Sequence, residues 1–243
     1  MEAIDFYNNF KELGERYLTP GGWAYKYKMW HYTDDGVRLS FIPVTTKFGR
    51  GFRIKHLTLT LTHTQVTPPE DLLDKHKKKF SNNDKYCPVQ IAPDRLKLFI
   101  ESKFSRWIWH YVHPRESNRS HEYAYTPIYY GGENRRLLED PDAPEEENRK
   151  ILLEFLKTEG IKYVEEEKAL AAMEKTFEHV SLYARKWVQF MTPQETMRQL
   201  IIYGGWWIDK EWLTAYENEF GKIEVRLTVF DRIFKKIDSF LQG

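Results

Sequence analysis

The sequence predicts an α+β fold, with a mostly antiparallel sheet in the N-terminal half and a helical C-terminal half. Three observations carry this expectation. Residues 23–65 hold strand-like alternations separated by turn residues, among them HLTLTLTHTQ at 56–65. The stretch GGENRRLLEDPDAPEEEN (131–148) is polar and acidic with two prolines, as a loop or linker would be. Beyond it, apolar residues recur at helical spacing over 161–191. The expected division is 1–130 mostly β, 131–148 linking, and 149–243 mostly helical, the last packed on the first as one unit.

Taken in order, Ile4, Phe6, Phe10, Leu13 and Tyr17 share a helical face, and Thr19-Pro20-Gly21-Gly22 ends that helix. WAYKYKMWHY (23–32) alternates Tyr and Lys as a strand does. Asp34-Asp35-Gly36 turns the chain, and VRLSFIPV (37–44) runs back as the partner strand. KFGRG (47–51) is a basic loop leading into the threonine strand. That strand turns Thr58, Thr60, Thr62 and Thr64 to one side, with Leu57, Leu59, Leu61 and His63 on the other. The leucine face is assigned to a core. The threonine face is either an ordinary sheet surface or the floor of a site.

Pro68-Pro69-Glu70 opens a short amphipathic helix with KHKKK (75–79) exposed. APDRLKLFIESKF (92–104) fits a helix started by Pro93-Asp94, but RLKLFIE also alternates like a strand. WIWHYVH (107–113) and HEYAYTPIYY (121–130) read as strands, and 148–160 as a helix ending in glycine. The long helix over 161–191 has the stripe Val164, Leu170, Met173, Phe177, Val180, Ala184, Trp187 and Met191. Thr192-Pro193 with Glu195 starts another helix through Tyr203. Residues 209–220 form a further helix, 223–230 a strand, and the C-terminus a helix.

Apolar residues make up 41% and charged residues 30%, so the chain folds rather than remaining disordered. The net charge of +1, from 37 basic and 36 acidic side chains, excludes a protein that coats DNA through overall charge. Basic residues nevertheless dominate Lys47–Arg119 and acidic ones Glu133–Glu178, so a local basic patch is expected. A single cysteine, Cys87, rules out an intrachain disulfide and a Cys-based zinc site. MEAIDFYNNF is not a signal sequence and no apolar run reaches membrane-spanning length. The expectation is a chain without a membrane partner, in the cytoplasm or, if viral, the host cytoplasm. Aromatics at 16% offer surfaces for self-association, as does the long helix.

Three constellations could carry chemistry. In the first, strand LTLTLTH is followed by a histidine strand with His110 and His113, then His121, then a helical Tyr183-x-x-Lys186. This order resembles the three motifs of HUH endonucleases, the rolling-circle initiators and relaxases of plasmids and small viruses. The resemblance implies Tyr183 as nucleophile and Lys186 as phosphate contact. It implies His110 and His113 as ligands of Mg or Mn, and DNA as substrate. A tyrosine hydroxyl, with its pKa about 10, needs a cation beside the phosphate to become an effective nucleophile. The family places its histidines two apart; here they are three apart, on opposite sides of a regular strand. A bulge, or His121 from a neighbouring strand, would complete the pair.

The second constellation is Pro93-Asp94 with Glu101-Ser102-Lys103, similar to the pattern of metal-dependent nucleases in which two acids hold Mg and a lysine supports the attacking water. A single helix over 92–104 would make these a helix start and a solvated face. The third is a binding surface. Arg50, Arg53, Lys55, Lys77 and Lys78, with Lys26 and Lys28, would neutralise phosphates beside stacking rings such as Tyr25 and Tyr27. Lys and Tyr alternating on a hairpin also serve to blunt a sheet edge. His31, His56, His63, His76 and His179 have no assigned role. The sequence thus points to a nucleic-acid-processing protein, a metal-dependent DNA-nicking or replication-initiation enzyme of a virus or plasmid. The alternative is a non-catalytic nucleic-acid binder or a viral structural or assembly protein.

Overall fold

Phe6, Phe10 and Leu13 fall on one face of helix α1 (Ala3–Tyr17), and all three are buried. A 3-10 turn at Thr19–Gly21 closes on Gly22, whose φ of 86° lies in the left-handed region that glycine adopts without strain. The computed structural model describes residues 3–48, 51–69, 89–93, 96–101, 166–203 and 207–227, with isolated positions at 144, 146–147, 150, 154, 229 and 232. Within these, the sheet runs β1 (Ala24–Lys26), β2 (Met29–Asp34), β3 (Val37–Phe48), β4 (Gly51–His63) and β5 (Val89–Ile91). Spatial order equals chain order and each described neighbour pair is antiparallel, so it is a meander.

The alternation at 23–32 is not one strand. Lys26 pairs with Met29, leaving Tyr27 and Lys28 as a two-residue turn with φ of 55° and 62°. Positive φ at both central positions is the type I′ turn that matches strand twist. Sequence reading missed it because neither residue is the Asn or Gly that usually signals this turn. The second hairpin, Asp34 opposite Val37, turns at Asp35-Gly36 as expected.

β3 and β4 form the long central ladder, from Val37 opposite His63 to Phe48 opposite Gly51. The register steps between Val44–His56 and Thr45–Ile54, which leaves Lys55 as the extra residue of a bulge. Leu57, Leu59 and Leu61 are fully buried, each removing side-chain area worth about 2 kcal/mol. Thr58, Thr60 and Thr62 are buried too. The Thr58 hydroxyl donates to the Ile91 carbonyl (3.3 Å) and the Thr60 hydroxyl to the Ser40 carbonyl (3.2 Å). Within the strand the threonine face is therefore closed, with Thr64 exposed beyond its end, and these two hydroxyls add cross-strand bonds to the ladder.

The ambiguous stretch after β5 resolves as helix α2 (Leu96–Glu101). The long helix is α3 (Glu166–Val188), followed by α4 (Pro193–Tyr203) and α5 (Trp207–Phe220). Met173, Phe177, Val180, Ala184, Trp187 and Met191 are buried as the stripe predicts, but Ala169 takes the place expected of Leu170. The α3 stripe meets α1 and the leucine face of the sheet. Phe10, Phe41 and Phe177 form a triangle with ring centroids 5.0–5.3 Å apart. Arg16 and Tyr17 of α1 both reach Glu174 of α3 at 2.9 Å. A second cluster, Val66, Met197, Leu200, Trp212 and Tyr216, joins α4 and α5 to the segment after β4.

Thr192 caps α4 as its sequence suggests: the Glu195 amide donates to the Thr192 hydroxyl at 3.2 Å, with Pro193 in the first turn. Thr192→Ala is expected to cost about 1 kcal/mol. Denaturant unfolding should show this as a lower midpoint at unchanged slope.

The strand expected at 223–230 is not formed over its described part. Residues 221–227 take no regular structure, although Ile223, Val225 and Leu227 are half-buried while Glu224 and Arg226 are exposed. The alternation describes an extended segment with one face down; it does not supply a partner strand. The helices expected at 70–80 and the C-terminus, the strands at 107–113 and 121–130, and most of the linker and of 148–160 lie outside the described residues.

Candidate functional site

Tyr183 and Lys186 sit one turn apart on α3, which is fixed to the sheet on its opposite side. Arg185, 200° around the helix from Tyr183, lies 3.8 Å from the Asp34 carboxylate, and its guanidinium sits 5.4 Å from the centre of the Tyr32 ring. The Tyr32 hydroxyl donates to the same carboxylate at 2.7 Å. The buried stripe sets the rotation of α3 and leaves Tyr183 at its margin, half-buried against the core.

There the Tyr183 ring meets the edge of His179 at 5.9 Å, and the exposed Lys186 ammonium lies 5.5 Å from its centroid. A cation over the ring face is attracted by the ring quadrupole, which holds Lys186 beside the tyrosine. Among the described residues the Tyr183 hydroxyl has no hydrogen-bond partner. The pair is thus a held tyrosine with a cation alongside, a surface able to meet a phosphate.

Of Arg50, Arg53, Lys55, Lys77 and Lys78, expected to bind nucleic acid, two have a described backbone position. Arg53 and Lys55 lie on β4, opposite Thr46 and at the bulge. Met191, eight residues beyond Tyr183, accepts a hydrogen bond from His63 at the far end of that strand. Arg53 and His63 are ten residues apart, roughly 30 Å of strand. The Arg53 backbone and the His63 end that meets Met191 thus lie toward opposite ends of β4. Arg50, Lys77, Lys78, His110, His113 and His121 lie outside the described residues, as do Asp94, Lys103 and Cys87. Glu101 is exposed on α2, whose helical form matches the solvated-face reading. Among the described residues no group of three or more His, Cys, Asp or Glu is placed to hold a metal ion, and no helix is long and apolar enough to cross a membrane.

Two histidines without a sequence-assigned role have defined surroundings. His63, on the leucine face, is buried, with Nδ1 2.9 Å from the Tyr216 hydroxyl and Nε2 3.0 Å from the Met191 carbonyl. A carbonyl can only accept, so Nε2 carries the proton and Nδ1 accepts from Tyr216. Burial pushes the His63 pKa below its ordinary value, and the Met191 carbonyl opposes this only in part. The ring ties the main core to the α4–α5 cluster, since Met191 belongs to one and Tyr216 to the other. Alternation alone places His63 among the leucines; its partners, 128 and 153 residues away, leave no local signal.

His31 faces Ser40 across β2 and β3, with Nδ1 3.0 Å from the Ser40 hydroxyl and Nε2 donating to the Lys26 carbonyl at 3.3 Å. The same donor logic makes Ser40 the proton donor to Nδ1. Ser40 is 1% exposed, so this serine–histidine contact is a cross-strand link rather than a nucleophile open to substrate. No protein-family model, curated protein or solved structure matches this chain.

Proposed function

We propose that this chain processes nucleic acid, and that Tyr183 is the nucleophile of a DNA-nicking or replication-initiation enzyme of a virus or plasmid. The observation that carries this reading is the Tyr183–Lys186 pair: a ring fixed by packing and by His179, and an exposed ammonium beside it. In the proposed step the Tyr183 oxygen bonds to phosphorus as the bond to the 3′ oxygen breaks. The phenolic proton leaves to water, the 3′ oxygen gains one, and the product is a 5′-phosphotyrosyl strand. Lys186 neutralises charge building on the phosphate. His110, His113 and His121, which would hold Mg or Mn, lie outside the described residues; bound there, the ion would polarise the phosphate that Tyr183 attacks.

Incubation with 5′-unlabelled, 3′-labelled single-stranded DNA and Mn should leave label on the protein in a denaturing gel. Tyr183→Phe should abolish that adduct, and Lys186→Gln should reduce its rate by roughly 10²-fold, as loss of one electrostatic contact to the reacting phosphate does elsewhere. Label retained by the Phe variant sinks the assignment. Binding without any adduct moves the chain to the non-catalytic reading, a nucleic-acid binder or a viral structural or assembly protein.

A further inference from the structure

The two-residue β1–β2 hairpin dictates the backbone of its tip, but not the side chains found there. Its two turn residues, Tyr27 and Lys28, both adopt positive φ, 55° and 62°, where a side chain is disfavoured and Asn-Gly is the usual choice. Tyr27 gains no burial in return, being 62% exposed. The tip is nevertheless braced. Lys28 places its ammonium 4.6 Å from the centroid of the Tyr7 ring on α1, and His31 donates to the Lys26 carbonyl. Lys26 holds its ammonium 5.2 Å from the Tyr27 centroid. No acidic residue occurs in the sequence between Glu15 and Asp34. The turn needs positive φ but not these residues, so an exposed Tyr-Lys kept where Asn-Gly would cost less points to a use for the side chains.

We propose that this tip is a contact for single-stranded nucleic acid, with a base stacked on Tyr27 and a neighbouring phosphate met by Lys26. It rests on the nucleic-acid reading above for the class of partner. The ring offers a sequence-tolerant stacking face, and the ammonium beside it supplies charge complementary to the backbone. A single strand fits because its bases are free to leave the stack, whereas a duplex presents no base face to a projecting ring.

The test is fluorescence anisotropy of 5′-fluorescein-labelled (dT)20, with Tyr183→Phe protein as the parent so that cleavage cannot contribute. Tyr27→Ala should raise Kd roughly tenfold or more. Replacing Tyr27-Lys28 by Asn-Gly should weaken binding similarly while raising Tm, because it relieves the turn. That opposite movement separates lost contact from lost fold. Lys26→Gln should flatten the slope of log K against log salt by about 0.7. Equal affinity of parent and tip variants overturns the proposal, even where Tyr183 forms its adduct. Absent binding by the parent overturns it too, as does self-association of the chain that Tyr27→Ala removes without any effect on DNA. An adduct that fails to form leaves the anisotropy result standing on its own, so the two readings fail separately.

Discussion

Replacing Gly14 with alanine is expected to destabilise the protein by about 3 kcal/mol, although the same change in an open helix interior would stabilise it by about 1 kcal/mol. Gly14 lies in the penultimate turn of α1, against which the indole of Trp30 is laid. Trp30 is 1% exposed, and its Nε1 donates to the Phe10 carbonyl, one turn before Gly14, at 3.1 Å. A methyl group at position 14 would overlap the indole edge formed by Nε1, Cε2 and Cζ2. The indole cannot swing away cheaply, since Tyr25 lies against it at 5.1 Å and its hydrogen bond fixes the approach. Either α1 lifts off the sheet or Trp30 leaves its rotamer and its acceptor, and both uncover the Phe6–Phe10 face. For a chain of this size the loss corresponds to a fall in Tm of about 8 °C. A Tm that is unchanged or raised would show that helix propensity, not the close approach, governs this position.

Gly14 also marks the boundary of what the sequence makes legible. A glycine inside a helical pattern can be seen to need a packing reason, but the partner sixteen residues away cannot be named from spacing. The same holds across the fold. Periodicity locates α1, the long ladder and α3, because the apolar face of each is written in consecutive residues. It fails where the outcome depends on another segment. The run over 223–227 has the right alternation but pairs with no strand among the described residues, and the turn at Tyr27-Lys28 carries none of the usual turn residues. RLKLFIE satisfied both periods, and helix α2 emerges from a competition that pattern alone does not decide.

The candidate site divides along the same line. Tyr183 and Lys186 are legible as a pair because one helix turn carries both. The threonine face of β4 drew attention as a site floor, yet its burial and its hydroxyl bonds to Ile91 and Ser40 make it a structural surface. The polar chemistry that the fold does concentrate, at His63, was hidden in the hydrophobic register of the same strand. A strand of alternating Leu and Thr thus reads backwards: the hydroxyls are in the architecture, and the histidine at the end of the leucine row is a buried titratable group.

The titration of His63 is the second large effect. The His63 pKa lies below its ordinary value of 6.5 because protonation would charge a buried ring, an effect the Met191 carbonyl opposes only in part. The unfolded chain therefore binds more protons than the native one just below pH 6.5, and stability rises with pH across that interval. The contribution is fully present above about pH 6.5 and is lost as the pH falls toward and through the lowered native pKa, beyond which it levels off. His63→Gln keeps a donor for Met191 and an acceptor for Tyr216 without a titrating group. The difference between wild-type and His63→Gln Tm profiles should be level from pH 8 to about 6.5 and fall as the pH is lowered further toward 5. His63→Ala, which leaves the Tyr216 hydroxyl and the Met191 carbonyl buried without this partner and opens a cavity between the two clusters, should cost about 4 kcal/mol at neutral pH. Tyr216→Phe, removing only one of the two bonds, should cost roughly 1–2 kcal/mol. A difference profile that is flat across this range would mean that His63 is protonated as readily in the native protein as in the unfolded chain, and that the ring does not hold the two clusters together in its neutral form.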